Sequence, residues 1–233
     1  DFMVLPNAPA ADPAYRKQYG IKTIWKNYYS SSRYDQANPP HQFKAEFISA
    51  TNTMTENDMV EIQSYTSFLV GFHTLNVTRY LAMFLKYYYN IPYSKFYKAL
   101  IGRPSVSSIY EDLKDHIDDY INGTKMEKSI KVDGVMVPPD FYVKSMALQN
   151  FNSISSDIIQ VIMQFTSFDY EQANDLLNTQ KRTIVSWWGQ DKVKTKYNFI
   201  EAFRNLDSLP PNTKPYPWSL NKKEYILETK QTW

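Results

Sequence analysis

The chain has 233 residues, 43% of them apolar and 21% charged, enough for one ordinary domain or two small ones around a buried core. The 26 basic residues against 24 acidic ones leave a net charge of +2, too small an excess for a protein that coats nucleic acid. Cysteine is absent, so this chain supplies no disulfide, no thiolate nucleophile and no thiolate ligand for zinc or for an iron–sulfur cluster.

Residues 1–54 read as extended and loop-rich. Phe2-Met3-Val4-Leu5, an apolar run stopped by Pro6, suits the end of a buried strand. Pro13-Ala14-Tyr15-Arg16 suits one helical turn. Residues 21–28 are rich in β-branched and aromatic side chains, and 43–48 partly alternate, so the two are expected to pair as a short N-terminal β-hairpin. The polar link between them, from Ser30 to Pro40, reads as exposed.

Residues 55–206 carry helical patterning. Thr55-Glu56-Asn57-Asp58 has capping-box spacing ahead of a run in which Met59, Ile62, Tyr65 and Leu69 are expected to share one face. A second helix is expected over 77–89, with Leu81, Phe84, Leu85 and Tyr88 facing inward and Asn90 and Pro92 ending it. Ser94 is expected to cap a short helix through Leu100. An amphipathic helix follows over 105–121, stopped by Asn122-Gly123. Asp133-Gly134 marks a tight hairpin between 131 and 137. Pro138-Pro139-Asp140 leads into further helices, expected over 154–168, 170–185 and 193–206. Residues 207–233 form a Pro-rich tail with a strand-like stretch at 225–229. The fold class is therefore mainly α, a multi-helix domain with a short N-terminal hairpin.

The most apolar long stretch, residues 68–85, is broken by His73, Asn76 and Arg79, whereas a membrane-spanning helix needs about 20 apolar residues, so it reads as buried helix and no membrane partner is expected. No signal sequence precedes it, and a cytoplasmic location is expected. Asp1 in place of Met suggests a mature product or a piece of a longer chain.

Motifs for chemistry are sparse. His41, His73 and His116 are far apart in sequence, so no helical zinc pair forms, and no metal ligand is assigned. Asp115, Asp118 and Asp119 lack calcium-loop spacing and read as a solvated face. No nucleophile elbow, Walker loop or dinucleotide fingerprint occurs. Trp187-Trp188, with Lys192, Lys194 and Lys196 nearby, forms a possible interaction patch for a protein or nucleic acid.

Four segments, in order, carry a family resemblance. Leu5-Pro6-Asn7-Ala8-Pro9, continuing through Asp12-Pro13-Ala14-Tyr15 to Tyr19-Gly20-Ile21-Lys22-Thr23, resembles a run of cobalamin-binding radical S-adenosylmethionine (SAM) enzymes that follows a late strand of their catalytic barrel. Ala50-Thr51-Asn52-Thr53-Met54-Thr55, with Asp58-Met59, resembles the entry into their C-terminal helices. Phe72-His73-Thr74-Leu75-Asn76-Val77-Thr78-Arg79-Tyr80-Leu81 resembles a helix–helix junction of the family, and Ile91-Pro92-Tyr93-Ser94-Lys95-Phe96-Tyr97-Lys98-Ala99-Leu100 continues it. Asn76 stands where the family pattern has Gly, and Met59 where it has Trp.

The resemblance implies the C-terminal region of such an enzyme. The parent would use an iron–sulfur cluster (4Fe–4S), S-adenosylmethionine and cobalamin, while this chain, without cysteine, holds none of them. Its partners would be the cobalamin and barrel domains of the parent. The chain itself would cap the substrate cavity of a methyltransferase-like enzyme and be inactive alone. Asn7 and Tyr15 would face the site from the barrel edge, and His73 and Arg79 from the helix junction. Self-association through an uncovered apolar face is expected of the isolated chain, and nucleic acid binding is not. The competing reading is a stand-alone helical interaction module working through Trp187 and Trp188.

Overall fold

The computed structural model describes residues 3–29, 42–184, 192–210 and 213–228. In chain order its elements are α1 (Pro13–Tyr19), β1 (Lys22–Tyr29), β2 (Gln42–Ala50), α2 (Glu56–Leu69), α3 (Arg79–Tyr89), α4 (Tyr93–Ile101), α5 (Pro104–Ile121), β3 (Ile130–Val132), β4 (Val135–Val137), α6 (Pro139–Gln149), α7 (Phe151–Phe165), α8 (Tyr170–Lys181), β5 (Lys192–Tyr197), α9 (Phe199–Asp207) and β6 (Lys222–Glu228). A π-helical turn, Val70–Thr74, follows α2. The fold is mainly α, and its described strands form three antiparallel pairs, β1–β2, β3–β4 and β5–β6. The chain divides into two units, Asp1–Ser67 with Glu111–Pro139 and Phe68–Tyr110 with Asp140–Trp233.

In the first unit, the N-terminal motif is a set of helix stops. Asp12 accepts the Ala14 N–H at 2.7 Å as the N-cap of α1, Pro13 opens the helix, and Gly20 closes it in the left-handed region at φ +58°. A Cβ on Gly20 would overlap the Asn52 side chain, whose Nδ2 donates to the Gln18 carbonyl at 3.2 Å while its backbone N–H donates to the Tyr19 carbonyl at 2.9 Å. The second motif thus caps the helix made by the first. Its threonine works the same way. The Asp58 carboxylate accepts from both the Thr55 N–H and Thr55 Oγ1 at 2.8 Å, and those bonds hold Asp58 below the usual carboxylate range.

The hairpin pairs Ile24 with Phe47 and Lys26 with Ala45, with an irregularity after Lys22. Ala45, Phe47 and Ser49 of β2 are buried together with Lys26 of β1, as the period of two requires. The side chain of Glu46 lies on the opposite face, where it takes both Arg16 guanidinium nitrogens at 2.7 Å and Thr23 Oγ1 at 2.5 Å, which ties α1 to the sheet. Those hydrogen bonds, Arg16 first, hold the Glu46 carboxyl below its ordinary range.

The expected buried strand end over residues 2–5 is corrected at Met3 and Leu5, and Phe2 lies outside the described residues. Met3 makes an isolated antiparallel bridge to Phe47 and Val4 N–H donates to the Glu46 carbonyl at 2.8 Å, yet Met3 and Leu5 are exposed. Residues 3–5 thus borrow the free edge of β2 with only Val4 half-buried. The expected face of α2 is also revised: Met59, Val60 and Ser64 are buried while Ile62 is 48% exposed, so a serine takes the inward position. In the C-terminal part of α5, Leu113, Ile117, Tyr120 and Ile121 are buried. Lys26, fully buried, donates to the Lys125 carbonyl at 2.5 Å and lies 4.8 Å from the Tyr120 ring centroid; burial pushes its pKa down. Asp133 (φ +48°) and Gly134 (φ +86°) make the tight turn of β3–β4 that their dipeptide predicts.

In the second unit, aromatic packing dominates. Phe84 of α3 meets Phe168, Phe199, Phe203 and Trp218 with ring centroids 5.1–6.5 Å apart. Three of the expected helix boundaries change. The cap of α4 is Pro92 rather than Ser94, so the helix starts at Tyr93 with a pre-set backbone. The second helix starts at Arg79 rather than 77 because Thr78, at φ −135°, is its non-helical N-cap. Residues 192–197 are strand rather than helix. Lys194 and Lys196 are exposed around a fully buried Thr195, a period of two that the sequence reading took for helix, and β6 pairs with it from Lys222 to Glu228.

Two helix starts in this unit are capped from far away in sequence. Asp157 of α7 accepts the Ser105 N–H at 2.8 Å at the start of α5, 52 residues distant. Gln180 of α8 accepts the Leu81 N–H at 3.1 Å at the start of α3, 99 residues distant. Such bonds satisfy first-turn donors that neither helix pairs internally. The same principle joins α8 to β5, where the buried Asp175 carboxylate accepts Lys196 N–H at 2.9 Å and Tyr197 N–H at 3.0 Å. Burial raises its pKa, and those two bonds oppose the rise.

Candidate functional site: a histidine at a π-helical turn

The junction motif builds the candidate site within the second unit. The chain leaves α2 through an i to i+5 bond, Leu75 N–H to the Val70 carbonyl at 2.8 Å, a geometry frequent at functional sites. Gly71 lets α6 approach this turn closely, since a Cβ there would lie 2.6 Å from Val143 Cγ1. Asn76 then takes φ +68°, the conformation that Gly adopts freely and that Asn tolerates best among the other residues. That accounts for Asn76 in a place where the resembling pattern has Gly. Its Nδ2 also donates to the Thr183 carbonyl at 2.6 Å, a bond glycine cannot make.

The turn leaves His73 half-buried. Its Nδ1 lies 2.8 Å from the hydroxyl of Tyr97, and its ring lies 5.1 Å from Tyr93 and 5.9 Å, edge-on, from Tyr97. Tyr97 also lies 3.4 Å from Thr78 Oγ1, and Thr78 donates to the Phe72 carbonyl at 3.3 Å. Tyr93 and Tyr97 stand four residues apart on α4, so both face the turn. From α3, Lys86 sits 4.5 Å above the Tyr93 ring centroid and 5.2 Å from that of Tyr87. Arg79 lies seven residues before Lys86, two turns along the same helix face. Burial, then the positive charges of Arg79 and Lys86, push the His73 pKa below its ordinary value. The ring is therefore neutral at neutral pH.

Of the residues singled out from the sequence, His73 and Arg79 meet here. Asn7 and Tyr15 belong to the first unit. Asn7 is exposed in the turn before α1, and the exposed Tyr15 packs on Tyr19 with ring centroids 4.5 Å apart. Trp187, Trp188 and His41 lie outside the described residues. His116, in the first unit, bonds the Lys128 carbonyl through Nε2 at 2.9 Å. The sequence reading missed Lys86, Tyr93 and Tyr97. The i+7 spacing from Arg79 and the i, i+4 pair within the fourth matching segment were the signals that would have found them.

No family model matches the chain. Two curated relatives do. Over 125 residues, 51% of the chain, it is 31% identical to the cobalamin-dependent radical SAM methyltransferase TokK of Streptomyces tokunonensis. Over 129 residues, 52% of the chain, it is 29% identical to the 2-(S-pantetheinyl)-carbapenam-3-carboxylate methyltransferase of Streptantibioticus cattleyicolor. Each match spans 18% of the relative's length. About half of this chain is thus similar to part of two methyltransferases, one of them a cobalamin-dependent radical SAM enzyme, in keeping with the family that the ordered motifs resemble.

The residues present do not fit an iron–sulfur cluster. The chain has no thiolate to offer, and among the described residues no group of three or more His, Asp or Glu side chains converges. Among the described residues no helix is long and apolar enough to cross a membrane.

Proposed function

We propose that this chain is the substrate-cavity-capping region of a cobalamin-dependent radical SAM enzyme of the methyltransferase kind, without catalytic activity of its own. The observation that carries the reading is homology to such methyltransferases in a chain that has no cysteine. The metals and the radical belong to the cobalamin and barrel domains of the parent, which are its partners. The capping region supplies shape, water exclusion and contacts to substrate, with His73 and Arg79 as the contacts from the helix junction and Asn7 and Tyr15 as those from the N-terminal segment.

The test compares this chain with the complete product of its gene, both purified without oxygen and reconstituted with iron, sulfide and hydroxocobalamin. The complete product is expected to bind iron and cobalt in stoichiometric amounts and to cleave S-adenosylmethionine when reduced. The 233-residue chain is expected to do neither. Stoichiometric iron or cobalt on the chain alone, or a gene product without a three-cysteine cluster motif, defeats the proposal.

A further inference from the structure

Among the described residues, the junction gathers cationic and N–H donors with no carboxylate paired to them. Thr78 gives its proton to the Phe72 carbonyl, and of the two hydroxyl contacts of Tyr97 described above, His73 Nδ1 at 2.8 Å is shorter than Thr78 Oγ1 at 3.4 Å. In the tautomer that carries the ring proton on Nε2, His73 accepts the Tyr97 hydroxyl proton at Nδ1. No described residue accepts from that Nε2–H. Arg79 and Lys86 are exposed and, among the described residues, neither makes an ion pair. The carboxylate of Asp207, on α9, accepts the Tyr80 hydroxyl at 2.5 Å and is not paired with Arg79.

Two of these donors, His73 and Lys86, are also oriented, while the Arg79 guanidinium lies 5.9 Å from the Tyr80 ring centroid. Lys86 rests on the faces of Tyr93 and Tyr87, and His73 packs against the same Tyr93 ring, so the aromatic side chains hold the imidazole and the ammonium to one side of α4. A planar fork, a point charge and an imidazole N–H beside aromatic faces are the complement of an oxyanion carried on an organic body. We infer that His73, Arg79, Lys86 and Tyr93 form a binding site for the carboxylate or phosphate group of a small molecule. Both chemistries present the same terminal oxygens to these donors. That the ligand is the substrate of the parent enzyme rests on the proposed function, whereas the binding itself does not.

The experiment uses the 233-residue chain and reads the ring signals of its histidines by nitrogen–proton NMR. Inorganic phosphate and sodium acetate are titrated separately, each against sodium chloride at matched ionic strength. The His73 ring is expected to show the Nε2–H tautomer and to respond saturably to phosphate, acetate or both, while His116 stays fixed. A response to one anion alone assigns the site to that chemistry. Arg79→Gln and Lys86→Gln, at exposed positions, are each expected to weaken binding about tenfold with circular dichroism unchanged. A response that chloride reproduces, no response to either anion, or unchanged affinity in both variants overturns the site. A failed titration leaves the parent-enzyme proposal standing, and an inactive parent leaves the titration standing.

Discussion

Replacing Gln180 tests the view that remote caps hold the second unit together. The side chain is fully buried. It accepts the Leu81 N–H at 3.1 Å and donates to the Asn76 carbonyl at 3.0 Å and to Thr183 Oγ1 at 2.8 Å. Gln180→Leu roughly keeps the volume and removes these bonds together with a longer contact to Asn76 Oδ1 at 3.4 Å. Thr183 still donates to the Gln180 carbonyl at 2.7 Å, so the uncompensated groups are the Leu81 N–H and the Asn76 carbonyl. A buried polar group stripped of its partner costs about 1–3 kcal/mol, and added apolar burial offsets part of that, so the expected loss is about 2–4 kcal/mol. Gln180→Glu separates the two roles. Its carboxylate still accepts from Leu81 but opposes the Asn76 carbonyl, and protonation restores a donor. The buried site raises the glutamate pKa, so its destabilisation should shrink as pH falls from neutral toward about 5. Urea denaturation followed by circular dichroism at both pH values, each variant against wild type at the same pH, measures these losses. A Gln180→Leu loss below about 0.5 kcal/mol, within the range of ordinary surface substitutions, refutes the reasoning, as does a Gln180→Glu loss that does not change with pH.

Gly20→Ala should destabilise the chain by about 2–3 kcal/mol in the same assay, because it places a side chain in the left-handed region and against Asn52; a loss under 1 kcal/mol would show that Asn52 moves aside freely. Lys26→Met should raise stability at neutral pH by about 1–2 kcal/mol, since a buried ammonium with one carbonyl partner gives way to an apolar side chain. The folded-state pKa of Lys26 lies below its ordinary 10.5, so the burial penalty is complete below that lowered value and fades as pH rises through it toward 10.5. The advantage of methionine should therefore narrow on the alkaline side, and a constant advantage would contradict the assignment. Asn76→Gly should keep the turn but lose the bond to the Thr183 carbonyl, while Asn76→Ala loses that bond and also strains φ, so thermal melting should rank wild type above Gly and Gly above Ala.

Much of the fold can be read where a residue type dictates backbone geometry. Asp12-Pro13 and Gly20 bound α1, Thr55 and Asp58 open α2, Asn90 at φ +55° ends α3, and Asp133-Gly134 turns a hairpin. Part of this punctuation, Asp12-Pro13, Gly20, Thr55 and Asp58, lies inside the ordered motifs that suggest a family. The reading fails where geometry depends on distant partners. Residues 192–197 are strand because 222–228 lies alongside, and nothing local to either stretch announces the other. Ser64 displaces Ile62 from the buried face of α2 against the ordinary ranking of apolar side chains. Two of the five candidate-site residues were legible, because His73 and Arg79 stand inside the junction motif. Lys86, Tyr93 and Tyr97 join it only through the folding of α3 and α4 onto the turn.

The cap that Gln180 provides to α3 also bears on synthesis. A ribosome adding about 5–20 residues per second makes the first turn of α3 roughly 5–20 seconds before the 99 residues up to its cap have been polymerised. Through that interval the Leu81 amide depends on water, and the apolar side of α3 waits for α8 and α9. The nascent chain therefore stays open to chaperones and proteases late into translation, and a ribosome stalled ahead of Gln180 releases a product whose α3 has no such cap.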